Sequence, residues 1–183
     1  SIIMRGAGCT WNDFLDKEYD KNVSRTKDRP LASNKIKTIN ALVFLLVQLL
    51  IGLLILVQFN KLTIIIGSLA LIPVFIYPLM KRVTWWPQIF LGITFNWGAL
   101  LGWLSLSNDF SSIYPILLYL ACIFWTVGYD TIYAHQDKED DIVLNLKSSA
   151  IKLGENTKNA LLIFYAIFFI IFASLISFST FCA

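Results

Sequence analysis

Charge is scarce in this sequence. Asp, Glu, Lys and Arg make up 15% of its 183 residues, against 57% hydrophobic residues and a mean hydropathy of +0.66. Soluble domains carry roughly 25% charged residues, and a water-soluble fold of this length cannot hide so much apolar surface. That excludes a cytosolic globular enzyme, a disordered tail and a coiled coil. Histidine occurs once, at His135, and cysteine three times, at Cys9, Cys122 and Cys182, far apart in apolar stretches. Without a second His or Cys nearby, His135 is a poor zinc ligand, and the thiols form no disulfide framework; they are expected to be buried and inert. Nothing alternates with period two, which excludes a porin-like barrel. The net charge of +3 is too small to draw nucleic acid, so no nucleic-acid partner is expected. What the sequence has in quantity is long apolar runs, and these make it an integral membrane protein whose first partner is the lipid bilayer.

A spanning helix takes about 20 mostly apolar residues. Four full stretches qualify, 36–59, 62–80, 87–106 and 113–129; a fifth, 160–178, closes the chain, and residues 1–11 read as the last turns of an earlier span. The predicted fold is all-α: a polytopic membrane helix bundle forming one transmembrane domain over 1–183. Because Ser1 falls within helical pattern, the N-terminus is expected to be incomplete. Fourteen of the 15 basic residues fall on one side of this topology, and only Lys61 lies opposite. The positive-inside rule makes the rich side cytoplasmic in a bacterial inner membrane, or the matrix side in a mitochondrial inner membrane. Any chemistry that needs charge belongs to that face.

Two acidic clusters lie there. In the first, Asn12, Asp16 and Asp20 are spaced i, i+4, i+8 and form one helical stripe, bordered by Asp13. In the second, Asp137 and Asp141 are again i, i+4, and Asp130 sits seven residues before Asp137. Like charges at that spacing repel, and more strongly where water is excluded. A divalent cation supplies the missing counter-charge: carboxylates with an amide oxygen are hard ligands suited to Mg²⁺, which commonly bridges one or two carboxylates to substrate phosphates. Lys81 and Arg82 end one span just before the aromatic pair Trp85–Trp86. Two readings stand side by side for them, snorkelling charge above a Trp belt and a phosphate clamp between the acidic clusters. Arg25, Lys27 and Arg29 are open in the same way, since the positive-inside topology already accounts for them. A transporter also gathers charge at one mouth of a bundle, but it usually needs a site near the midplane, and no charge sits at mid-membrane in a full span.

The run from Arg5 through Asn12-Asp13, Asp16 and Asp20 resembles the NDxxDxxxD region of the UbiA superfamily of intramembrane prenyltransferases. Arg25-Thr26-Lys27-Asp28-Arg29-Pro30-Leu31 resembles its RTxxRP[LI] loop. Tyr129–Asp141 and Lys147-Ser148-Ser149-Ala150 resemble the second motif and the KSTA run of the branch acting on 4-hydroxybenzoate, with Ser149 where Thr is expected. Tyr77-Pro78, Lys81-Arg82 and Pro87-Gln88 match that branch as well.

The resemblance implies a bundle of about nine spans around a central cavity, of which this chain is a fragment, with the C-terminus expected to be incomplete as well. It also implies transfer of a polyprenyl group from a polyprenyl diphosphate to the ring of 4-hydroxybenzoate, with release of diphosphate, in ubiquinone biosynthesis. Related branches use haem, naphthoate or chlorophyll precursors. By the same resemblance, Asn12, Asp16, Asp137 and Asp141 hold Mg²⁺, with Asp13 and Asp20 in support. Lys81 and Arg82 neutralise the departing diphosphate, helped by Arg25 or Arg29. Arg5, with Tyr129, is the candidate for the acceptor carboxylate, and the base that takes the ring proton is either Asp130 or a diphosphate oxygen. Trp11, bulkier than the small aliphatic residue expected there, is expected to narrow the cavity.

Overall fold

The computed structural model describes residues 2–107 and 109–181, with side chains through Ser177; the described residues form helices and connecting turns, with no strand among them. After a leading helix, Ile2–Leu15, five helices are long and apolar enough to cross a membrane. They are Thr38–Leu56, Lys61–Val83, Pro87–Ser107, Tyr114–Ala134 and Ser149–Ser177, called here the first to fifth spans. The predicted spans all exist, with shifted ends. The fourth continues past Tyr129 to Ala134, which puts Asp130 on the helix. The fifth starts at Ser149 because Ser148 caps it, its hydroxyl accepting from Ile151 N at 3.4 Å. Gly154, at φ 53°, then breaks it before the long stretch Thr157–Phe181.

Most side chains on these helices face outward. Leu54, Leu162, Phe169 and Ile170 are between 60% and 68% exposed, the apolar surface expected of membrane-spanning helices. The second span is interrupted after Leu69 and passes through a 3₁₀ turn, Tyr77–Leu79, at Pro78, because each proline removes a ladder hydrogen bond. Of the cysteines, Cys9 is exposed rather than buried and Cys122 is half-buried, both as free thiols; Cys182 lies outside the described residues.

The third, fourth and fifth spans pack side by side, and the leading helix lies along the first span. Small residues let the third and fourth approach closely: a methyl group added at Gly92 would lie 3.1 Å from Ile123 Cγ2 and 3.2 Å from the Ile123 carbonyl. At the break in the third span, Asn96 Nδ2 donates to Thr126 Oγ1 (2.8 Å) and to the carbonyls of Gly92 (2.8 Å) and Cys122 (3.1 Å). Asn96→Leu is expected to lose about 0.6–1.7 kcal/mol, the range of interhelical hydrogen bonds in membranes. Gly92→Leu is expected to lose more, about 1–3 kcal/mol, because it forces two backbones apart. Unfolding midpoints of the two variants in mixed micelles test this order.

Candidate active site

Both acidic clusters sit where a helix ends and a short one begins. The leading helix stops at Leu15, Lys17–Asp20 follows, and Asp16 at the joint has φ −95°, ψ 6°. After the fourth span, Asp137 precedes the helix Lys138–Val143 with φ −102°, ψ 7°. Both aspartates thus occupy the sparsely populated bridge region. The i, i+4 register survives each joint, since Asp16 N donates to Asn12 O (2.9 Å), Asp20 N to Asp16 O and Asp141 N to Asp137 O (both 2.8 Å). The two clusters therefore have the same local build on two separate stretches of chain.

The basic loop between residues 21 and 37 folds back over them. Val23, Leu31 and Ala32 are buried, Thr26 Oγ1 donates to the Asp20 carbonyl (3.2 Å), and Asn34 turns the chain at φ 56°. This fold aims two arginines at the carboxylates. Arg25 grips Asp137 with both arms of its fork, Nε at 2.7 Å from Oδ1 and Nη2 against Oδ2. Arg29 Nη1 bridges Asp13 (2.8 Å) and Asp20 (3.0 Å). From the end of the second span, Arg82 Nη2 reaches Asp16 Oδ1 (3.1 Å) and the Leu15 carbonyl (3.0 Å), its guanidinium 4.6 Å from the Tyr19 ring centroid. Among the described residues Lys81 forms no ion pair, but its charge acts on Asp16, Asp137 and Asp141.

Asn12, Asp16, Asp20, Asp137 and Asp141 line one cleft of about 60 Å³ together with Arg25, Arg29 and Lys81. The Arg25 fork holds the Asp137 carboxyl below the ordinary carboxylate range. Burial pushes Asp16 and Asp141 upward, opposed at Asp16 chiefly by the hydrogen bond from Arg82 and at Asp141 by the charge of Lys81. Among the described residues no three carboxylates, histidines or cysteines stand close enough together to hold a metal ion as they are arranged; Asp13, Asp16, Asp20 and Asp137 are instead paired with arginines. The donor set itself, all carboxylate and amide oxygen, fits a hard divalent cation.

Other predicted residues lie off the cleft. Asp13 faces Arg29. Asp130 stands on the fourth span within the field of Lys81. Arg5 lies 5.8 Å from the Phe95 ring centroid, and its charge reaches Tyr129. His135 meets Thr157 Oγ1 at 3.2 Å, and Trp11 packs on Phe14 and Phe75. Two aromatic residues were not among the predicted site residues. Tyr19 lines the cleft, and Tyr77 lies within the field of Asp130 and Asp16. Tyr77 opens the 3₁₀ turn that leads into the single helical turn carrying Lys81.

Five helices apolar and long enough to cross a membrane, with a cleft of acids and bases where they end, define an all-α membrane protein with one charged face. The profile of the UbiA prenyltransferase family matches residues 1–183, and the chain belongs to that family. It is 54% identical over 158 residues to the Drosophila melanogaster protein named "4-hydroxybenzoate polyprenyltransferase, mitochondrial", covering 86% of this chain and 40% of that one. To the Homo sapiens protein of the same name it is 51% identical over 158 residues, covering 86% and 43%. The solved apo structure of a UbiA homolog from Aeropyrum pernix K1 superposes with a TM-score of 0.80 at 26% identity, covering 93% of this chain and 65% of that one. A UbiA homolog from Archaeoglobus fulgidus bound to GPP and Mg²⁺ superposes at 0.71 and 21% identity, covering 92% and 60%, and shares the fold. The chain thus spans about 40% of the length of the curated relatives it matches.

Proposed function

We propose that this chain belongs to an enzyme that transfers a polyprenyl group from a polyprenyl diphosphate to the aromatic ring of 4-hydroxybenzoate, releasing diphosphate, in ubiquinone biosynthesis. The observation that carries this reading is the convergence of residues 12–20 and 137–141, far apart in sequence, on one cleft with Lys81, Arg25 and Arg29. Relatives about 50% identical that are named for this reaction support it, as does a fold neighbour that holds GPP and Mg²⁺. The mitochondrial names support a mitochondrial location; the excess of basic residues on the cleft side favours an inner membrane with the cleft facing the matrix.

Asn12, Asp16, Asp137 and Asp141 hold Mg²⁺, with Asp13 and Asp20 behind them. When bound, the ion supplies positive charge against the leaving diphosphate. Lys81 and Arg82 bind the diphosphate and stabilise the negative charge that grows on its bridging oxygen as the allylic C–O bond breaks. Arg25 and Arg29 exchange a carboxylate for a phosphate oxygen, two acceptors that suit the same fork. Arg5 pairs with the acceptor carboxylate beside Tyr129, and Asp130 receives the ring proton after the new C–C bond forms. The apolar faces of the spans bury the prenyl tail.

The experiment is incubation of membranes containing the protein with 4-hydroxybenzoate and a prenyl diphosphate, with and without Mg²⁺. Prenylated 4-hydroxybenzoate is expected only when all three are present. Product from another aromatic acceptor and none from this one would reject the assignment.

A further inference from the structure

Lys81 sits on a weak piece of helix. Met80–Val83 is a single turn that follows a 3₁₀ turn containing Pro78, and helix ends in that condition fray. Its last carbonyls have no partner within the helix and carry partial negative charge. Lys147 supplies what they lack. Its backbone N–H donates to the Lys81 carbonyl (2.8 Å) and its Nζ to the Val83 carbonyl (3.0 Å), with the ammonium 5.8 Å from the Trp85 ring centroid.

The segment carrying Lys147 is itself pinned on both sides. Before it, the chain turns at Asn145 (φ 55°) and Leu146 N donates back to the Asp141 carbonyl at 2.8 Å. After it, Ser149 N donates to Gln88 Oε1 (3.2 Å), and the hydroxyls of Ser149 and Thr131 share a 2.7 Å hydrogen bond. Gln88, Thr131 and Ser149 are at most 2% exposed. None of the three lines the cleft. Buried polar side chains bonded across three stretches of chain rigidify and specify one arrangement. Residues 147–149 thus tie the ends of the second, third and fourth spans to the turn that follows the second acidic cluster.

We propose that Lys147, Ser149 and Gln88 are positioning residues that lock the backbone of Lys81 to the segment after Asp141, so that the ammonium and the Asp137 and Asp141 carboxylates meet a diphosphate as one rigid unit. This rests on the reading of Lys81 as a diphosphate-binding group. Lys147 bonds to the Lys81 and Val83 carbonyls, so its loss acts on the head group; the Ser149–Thr131 hydrogen bond, next to Asp130, is kept by the Lys147 and Gln88 variants.

The test is a double-mutant cycle on the full chain in membranes. The probe is geranyl diphosphate with Mg²⁺ for affinity, and the KM for 4-hydroxybenzoate is the control. Lys147→Met removes the ammonium and keeps the stem; Gln88→Met removes the acceptor of Ser149 N–H at similar volume. Each is expected to weaken geranyl diphosphate binding about tenfold and leave the KM for 4-hydroxybenzoate unchanged, while Lys147→Arg and Ser149→Thr bind as the wild type does. In a Lys81→Ala background, Lys147→Met and Gln88→Met are expected to add nothing further. Losses that multiply in that background, or a parallel rise in the KM for 4-hydroxybenzoate, overturn the positioning role. If Lys81→Ala alone leaves affinity unchanged, the diphosphate reading of the cleft fails, and the strap proposal fails with it. Should Gln88→Met not accumulate in membranes, the Lys147→Met and Lys147→Arg pair decides alone.

Discussion

Asp16→Ala and Asp137→Ala are each expected to lower turnover by at least about 10²–10³-fold, the loss that follows removal of one preorganised electrostatic group, with membrane insertion unchanged. Chelation of divalent cations is expected to do the same to the wild type. The reason lies in the pairing of the cleft. Asp16 and Asp137 occupy the two helix joints, each held by an arginine from a different segment, Arg82 and Arg25. Removing either acid takes away an oxygen ligand and also leaves a guanidinium without its partner. Asp13→Ala gives the contrast. Asp13 faces only Arg29, which keeps Asp20, and a half-exposed pair of this kind contributes about 0–1 kcal/mol. Turnover is measured at matched expression over a Mg²⁺ titration. Wild-type rates in excess chelator, or equal losses in all three variants, would reject the metal assignment.

Lys81→Ala is expected to cost more turnover than Arg82→Ala. Lys81 lines the cleft without an ion pair of its own among the described contacts, whereas Arg82 is engaged with Asp16, the Leu15 carbonyl and the Tyr19 ring. A charge-assisted contact to diphosphate contributes about 1.5–3 kcal/mol in the ground state, and the contribution grows as the leaving group gains charge. Turnover should therefore fall further than donor affinity. Arg82→Lys keeps the charge but loses the planar fork over Tyr19, so its defect is expected to be intermediate. The measurement is a rate series across Lys81→Ala, Arg82→Ala and Arg82→Lys. Wild-type turnover in both alanine variants would return these residues to plain snorkelling charge, since the remaining basic loops still set the topology.

The sequence shows some of this plainly and hides the rest, and the division is physical. Spans are legible because lipid demands about 20 apolar residues wherever a helix crosses, and the five predicted runs match five helices. The i, i+4 spacing of the acids is legible because backbone hydrogen bonds carry it through both joints. The partners of those acids are not legible. Arg25 meets Asp137 across 112 positions, a pairing set by how the 21–37 loop folds over Val23 and Leu31. Burial inside a loop follows no period that a sequence displays. The break at Asn96 is hidden for a similar reason: its amide bonds to Thr126 on another helix, and that neighbour is fixed only by packing. Ser149 and Gln88 look like ordinary first-turn residues of their helices until the fold brings them together.

The bundle's two outer helices differ in length. Thr38–Leu56 has 19 residues and Thr157–Phe181 has 25, so at 1.5 Å per residue they measure about 28 Å and about 37 Å. A hydrocarbon layer of about 30 Å matches the first standing upright; the second opens with the polar Thr157, Lys158 and Asn159, and its remaining apolar length of about 33 Å fits with a modest lean. The long helix is pressed along the fourth span by Tyr165 and Phe168 against Trp125, so its inclination is shared with the helix that carries Asp130. Bilayer thickness therefore bears on the fourth span as well as on the fifth, because the two lie packed along each other.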